Sequence, residues 1–275
     1  MLPSNIQWFF PSNPKEASRL IRKRGHILHA GGTKILEPQP RGSIKGLVEV
    51  SGLELNYIRS TGSTVHFGAG ASFADVVAFC RRTKKFSALG DSLSVAASTP
   101  LRNRITVGGS VRDFPLWSNL YAPLLALDAR VQILGARSGV FSLEEYASSS
   151  LIKTNHLVVE VRVTEQRNVR CASTSFHILR FEYPMFCIAA ALKLRGARVE
   201  ASRIFVTGVK KKLGRLSNVE QVLFGNDLTE SLIETAGSRA TFAFAPDFKF
   251  SSAYKEKMAK VYLVDLLSEL RRTIS

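Results

Sequence analysis

The sequence predicts an α+β fold, with two α/β subdomains followed by a smaller C-terminal domain of antiparallel sheet and helices. Three observations point there. Short β-branched and apolar runs recur as far as residue 163, separated by capped helices or glycine turns. A polar stretch at 164–174, TEQRNVRCAST, interrupts the pattern and has no periodicity of its own. Beyond it, strand-like runs give way to three helical patterns near 217–224, 228–239 and 252–272. The boundary is placed in the polar stretch, giving domains 1–167 and 168–275.

The elements follow in order. Asn13 is a cap, Pro14 suits the first helical position, Glu16 falls at N3, and Ala17, Leu20 and Ile21 make an apolar stripe that Gly25 can stop. HILHA at 26–30 and GLVEV at 46–50 read as strands. LNYIRS and TVHFGAG flank Thr61-Gly62-Ser63 as a hairpin. Ser72 and Asp75 have capping-box spacing and open a helix through Cys80. ITVGGS at 105–110 reads as a β-branched run entering a glycine loop, NLYAPLLALDA as a helix and RVQIL as a strand. SGVFSLEEYASS is a strand and a helix capped by Ser142 with Glu145 at N3, and HLVVEVRV at 156–163 is a strong strand. The second half is expected to open with strand FHILRFEY. Pro184 then starts an apolar helix, PMFCIAAALKL, before strand RVEASRIFVTGV.

Composition narrows the function. With 45% hydrophobic residues the chain can bury a large core, and no apolar run approaches the roughly 20 residues that span a bilayer. The N-terminus does not resemble a secretory signal, so a cytoplasmic protein without a membrane role is expected. Cys80, Cys171 and Cys187 form no CxxC pair and the five histidines are scattered, so no metal site is expected. The balance of 38 Lys+Arg against 22 Asp+Glu gives +16, which would suit nucleic acid. The basic clusters, however, are short and not interleaved with aromatics, which favours solvated faces over nucleic-acid binding.

GAGASF around Gly68 and Gly70 lacks the third glycine of a dinucleotide fingerprint and follows a hairpin strand, so it is not read as one; no GxxxxGK[ST] loop is present. Two double-glycine loops remain, Gly31-Gly32 and Gly108-Gly109. Glycine permits close backbone approach and positive φ, so successive amides can converge on phosphate oxygens. Each loop alone is compatible with a simple turn; as a pair they can hold a pyrophosphate.

On these residues the chain resembles the medium, FAD-binding subunit of the molybdenum hydroxylases, the group of xanthine dehydrogenase and carbon monoxide dehydrogenase. The matching stretches run in order: WFFPSNPKEA (8–17), HAGGTKIL (29–36), VHFGAGASFADV (65–76), RNRITVGGS (102–110), PLLALDARV (123–131), SLEEY (142–146) and LVVEVRV (157–163). The resemblance implies a vanillyl-alcohol-oxidase-like (PCMH-type) FAD-binding domain and a flavoprotein C-terminal domain. It implies that Ala30, Gly31, Gly32, Thr33, Lys34 and Ile35 wrap the FAD pyrophosphate, with Thr106, Val107, Gly108, Gly109 and Ser110 as the second loop. It also implies cofactor contacts at Ala96, Asn119 and Val158. Ser110 stands where the family usually has Asn, Asn119 where it often has an acid, and Lys34 where Asp is commoner.

By the same resemblance, a partner subunit with [2Fe–2S] clusters relays electrons from a molybdopterin-binding large subunit, and FAD passes them to NAD or another acceptor. Neither the substrate pocket nor the acceptor is encoded in this chain, and no side chain is nominated as catalytic, because the flavin carries the chemistry. The departures at 110 and 119 leave a second reading open: the same fold with weakened flavin binding, acting as a non-catalytic assembly subunit.

Overall fold

Local signals at the N-terminus act as the sequence predicts. The Asn13 side chain accepts from the Glu16 amide at 2.9 Å, and Pro14 opens helix α1 (Pro14–Leu20). That helix ends at Leu20, earlier than expected. The chain then turns through 21–25, where Gly25 has φ of 82°. The computed structural model describes residues 6–34, 44–150, 154–179, 181–210 and 213–274. They form two compact units that are each discontinuous in sequence. The first comprises Met1–Val76, Ser98–Phe114 and Arg130–Val163; the second comprises Val77–Ala97, Pro115–Ala129 and Thr164–Ser275.

In the first unit, β1 (Gln7–Phe9), β2 (His26–His29) and β3 (Gly46–Glu49) make a parallel sheet of order β1-β3-β2. A second sheet has the order β4-β5-β8-β6-β7 and contains β4 (Ile58–Thr61), β5 (Thr64–Gly68), β6 (Arg130–Gly135), β7 (Gly139–Ser142) and β8 (His156–Thr164). The expected hairpin turns at Gly62, whose φ of 59° lets Thr61 pair with Thr64. Between β5 and β6 lie five helices: α2 (Phe73–Thr83), α3 (Ser87–Ser94), α4 (Thr99–Arg102), α5 (Val107–Asp113) and α6 (Tyr121–Ala126). The capping box that opens α2 is reciprocal. The Ser72 amide and hydroxyl donate to Asp75 Oδ2 at 2.9 and 2.7 Å, and the Asp75 amide donates to Ser72 Oγ at 3.1 Å. Ser142 caps α7 (Leu143–Ser148) by accepting from the Glu145 amide.

The five-stranded sheet has one apolar face and one face organised by a buried carboxylate. Val65, Phe67, Val131, Ile133, Val161 and Val163 are buried. Glu160 is 2% exposed and accepts from Tyr57 Oη at 2.6 Å and Arg162 Nε at 2.5 Å, with His66 Nδ1 at 3.0 Å. Arg162 continues to Gln132 on the neighbouring strand. Burial alone would raise the Glu160 pKa; the donors from Tyr57, His66 and Arg162 outweigh it and hold the group at about 2. Donors from β5, from β8 and from Tyr57 ahead of β4 thereby converge on one acceptor, and Arg162 links it to β6.

The second unit corrects the sequence reading in two places. Residues 177–179 and 181–183 of FHILRFEY are not in a strand, because strand β9 (Val169–Phe176) begins within the polar stretch and ends at Phe176. The expected helix after Pro184 is instead strand β10 (Phe186–Arg195). It lies between β9 and β11 (Arg198–Val206) in an antiparallel sheet of order β12-β11-β10-β9, where β12 is Gly214–Arg215. A strand paired on both sides and buried on both faces has no alternating polar positions, so its apolar run reads as a buried helix. Ile188, Ala190, Leu192 and Leu194 share a core cluster with α8 (Ser217–Leu223), α9 (Glu230–Arg239) and α10 (Ser252–Arg272). The alternate residues Cys187, Ala189 and Ala191 are also buried, and α6 packs on β10 and β11. Small side chains on that face allow close helix-on-sheet approach.

Ile188→Ala is expected to cost about 2–5 kcal/mol by removing a fully buried side chain from the middle of this core, measured by denaturant unfolding. Because the Glu160 pKa is depressed, its contribution is present above the ordinary carboxyl range and lost as pH falls from about 4.5 towards 2. Glu160→Gln should therefore cost about 3 kcal/mol at neutral pH and remove the corresponding part of the acid-induced loss. Unfolding curves of both chains across that window check it; parallel pH profiles would contradict it.

Candidate cofactor site

Strand β2 delivers the first glycine loop. After His29 the chain leaves the sheet, and Gly32, at φ of 75°, turns it through a conformation that a side chain disfavours. A Cβ on Gly31 would lie 1.6 Å from the Arg104 carbonyl oxygen, so only glycine permits this backbone-to-backbone approach. The Arg104 guanidinium closes the contact, with Nε donating to the Gly31 carbonyl at 2.9 Å. Lys34 Nζ lies 3.2 Å from Asp113 Oδ2, a second tie between this loop and α5. The amides of Gly31, Gly32 and Thr33 donate to no acceptor among the described residues. Ile35 lies outside the described residues.

The second glycine pair is not a loop entered from a strand. Residues 105–106 make only an isolated bridge, Ser72 with Thr106, and the glycines form the first turn of α5. Thr106 is the N-cap: its Oγ1 accepts from the Gly109 amide at 3.1 Å. The Val107 and Gly108 amides donate to the Ala71 and Ala69 carbonyls at 2.9 and 2.8 Å, and the Ser110 amide donates to Thr106 O at 3.0 Å. A Cβ on Gly108 would lie 2.4 Å from Ala69 Cβ, so this glycine serves packing within the unit. The two glycine pairs thus differ in kind. One presents unengaged amides; the other seats Arg104 and Asp113 against it.

Three residues not singled out from the sequence shape the charge around the loop. His29 Nδ1 lies 2.5 Å from Glu49 Oε2, and the Ser51 amide donates to Glu49 Oε1 at 2.9 Å. Burial would raise the Glu49 pKa, but hydrogen bonds from Ser51 and His29 outweigh it and lower it. At Gly32, the point where a Cβ would project is 3.0 Å from His29 Nε2 and 3.5 Å from an Arg104 Nη. The available signals were the polar residue ending an apolar strand in HILH and the second arginine of RNRITVGGS.

The remaining expected residues are placed as follows. Val158 is on β8 and is 2% exposed. Ala96 and Asn119 belong to the second unit, where both are buried. Ser92 Oγ donates to the Asn119 carbonyl at 2.8 Å, while Asn119 Nδ2 is buried with no hydrogen-bond partner among the described residues. Leaving such a donor unsatisfied costs about 1–3 kcal/mol, so it is a donor suited to an external acceptor. No described cluster of three or more His, Cys, Asp or Glu residues could hold a metal ion, and no described helix is long and apolar enough to cross a membrane.

Amides of 31–33 that are unengaged among the described residues, at a left-handed glycine with two nearby side-chain nitrogens, fit a phosphate-bearing cofactor. Comparison with known proteins agrees. Residues 4–164 match the family model described as the FAD binding domain in molybdopterin dehydrogenase, and residues 180–270 match the CO dehydrogenase flavoprotein C-terminal domain. The chain is 25% identical to the glyceraldehyde dehydrogenase medium chain of Sulfolobus acidocaldarius, covering 98% of this chain and 100% of that one. It is 24% identical to the carbon monoxide dehydrogenase medium chain of Hydrogenophaga pseudoflava, covering 94% of each. Among solved structures, its fold is similar to a chain of quinoline 2-oxidoreductase from Pseudomonas putida 86, with a TM-score of 0.89 at 18% identity over 100% of this chain and 99% of that chain. Carbon monoxide dehydrogenase from Hydrogenophaga pseudoflava gives a TM-score of 0.88 at 23% identity over 98% of each chain. The glycine loop, the family match across the first unit's strands and the shared fold lead to one conclusion: the chain belongs to the FAD-binding family of the molybdopterin dehydrogenases, the flavoprotein medium subunits of molybdenum hydroxylase-type oxidoreductases.

Proposed function

We propose that this chain is the electron-transfer flavoprotein of a molybdenum hydroxylase-type complex, with the FAD pyrophosphate bound at residues 30–35. The observation that carries this reading is the first glycine loop, which presents the amides of Gly31, Gly32 and Thr33 without internal acceptors in a chain of an FAD-binding family. Bound FAD supplies the redox chemistry, exchanging electrons singly or in pairs. The chain's own residues bind and orient it. Gly32 supplies the positive φ that lets neighbouring amides face one anion. Lys34 holds the loop through Asp113, and Thr106–Ser110 forms the capped turn that supports it. Asn119 and Val158 retain the hydrogen-bonding and apolar roles implied by the resemblance.

Electrons reach this subunit from [2Fe–2S] clusters of a partner, fed by a molybdopterin-binding large subunit, and leave to NAD or another acceptor. The medium-chain relatives support a subunit role. The three cysteines are free, and Cys80 and Cys187 are buried, which supports cluster ligation by the partner; the isolated chain is expected to be inactive as a hydroxylase.

The purified chain is expected to show flavin absorption, either as isolated or after adding FAD; a preparation colourless under both conditions would overturn the reading. The two glycine pairs should respond differently to substitution. Gly32→Val forces a branched side chain into left-handed backbone and should abolish FAD retention in a chain that still folds. Gly108→Val should lower the thermal midpoint with or without FAD, because its side chain meets Ala69. Full flavin content in folded Gly32→Val chain would count against the pyrophosphate assignment.

A further inference from the structure

We propose that His29 and Arg104 are the side-chain phosphate ligands of this loop, with Glu49 orienting the His29 ring. The inference rests on the flavin reading and goes beyond it in naming the groups that neutralise the pyrophosphate.

The geometry is specific. Arg104 is fixed by its Nε bond to the Gly31 carbonyl, which leaves an Nη group 3.5 Å from the point where a Gly32 Cβ would project. His29 Nε2 reaches the same point at 3.0 Å. Two nitrogens from different segments therefore converge beside the unengaged amides of 31–33. The charged groups beside the imidazole are Glu49 from β3 and Arg104 from the segment before α5; Lys34 follows in the loop and is paired with Asp113. Trp8 from β1 packs its ring at 4.9 Å, edge to face, and carries no charge.

Tautomer chemistry then determines what His29 can do. Its Nδ1 faces a carboxylate, which can only accept, so Nδ1 carries a proton. Nε2 donates to a phosphate oxygen only when it is protonated as well, that is, as imidazolium. Glu49 and a phosphate oxygen would then be paired by opposite ring nitrogens, and the anion would lie between His29 Nε2 and the Arg104 guanidinium.

The test uses the apo-chain titrated calorimetrically with FAD, ADP and riboflavin. His29→Gln should weaken FAD and ADP about tenfold or more. Arg104→Gln should weaken them similarly, with riboflavin unchanged for both. Thermal unfolding without ligand confirms that the variants fold, and Arg104→Lys, which keeps the charge, should recover part of the affinity. FAD binding with native affinity in both Gln variants overturns the clamp and leaves the flavin reading intact. A native chain that binds no FAD overturns both.

Discussion

The close approach of the Gly31 backbone to the Arg104 carbonyl is the contact on which the first unit's site depends. A single methyl group at residue 31 would lie 1.6 Å from that oxygen, so the two segments meet only because residue 31 has no side chain. Around this contact the rest is arranged by ordinary forces. The parallel sheet places His29 at the end of β2 beside Glu49 of β3, and the bridge between Ser72 and Thr106 fixes where α5 begins. The second backbone approach, Gly108 on Ala69, locks that start from below. The loop's own amides are left outside this hydrogen-bond economy. Among the described residues, internal bonds consume the donors of 107–110 and spare those of 31–33, and the proposed anion site at the first loop rests on this asymmetry.

Much of this was legible because the signals are local. The Asn13, Ser72 and Ser142 caps need only a side chain and an amide three residues on, and each forms the expected bond. The hairpin at Gly62 and strands β2, β3, β6 and β8 follow from turn residues and β-branched runs. What was illegible depends on partners distant in sequence. β10 carries an alanine-rich apolar run that suits a buried helix, and only its pairing with β9 and β11 makes it a strand. The strand expected before Gly108-Gly109 does not form, because Thr106 is used as a helix cap. Arg104 stands in the matched stretch RNRITVGGS, but its part in the site comes from Gly31, 73 residues away, which its own neighbours in sequence do not announce.

The charge balance has a structural side that composition hides. Several of the 22 acids are each occupied by more than one donor. Glu160 gathers Tyr57, His66 and Arg162; Glu220 accepts from the Ile204 amide at 2.8 Å and from Arg215; Asp247 holds the nearly buried Lys255 at 2.6 Å. Acids spent on internal scaffolding do little to offset the surface, so the +16 excess is carried mainly by solvent-facing Lys and Arg. Such a field draws anions of any kind towards the protein and by itself selects none. Selection requires fixed donors, and those are found at the glycine loop.

The departures from the commoner family pattern can be weighed in the same terms. Lys34 replaces an acid in the loop and finds Asp113, so its charge is already partly neutralised and its main effect is to tether the loop. Ser110 keeps its amide on Thr106 as the last link of the α5 cap, a role that asks nothing of its side chain. Asn119 gives up the negative charge of an acid but keeps a buried, unpartnered donor. Gly31 is required by the Arg104 approach alone, and Gly32 adopts its left-handed backbone without strain, so neither by itself separates a working site from a relic. The Asn119 amide is different: among the described residues it is a buried donor without an acceptor, a cost that a bound acceptor would offset.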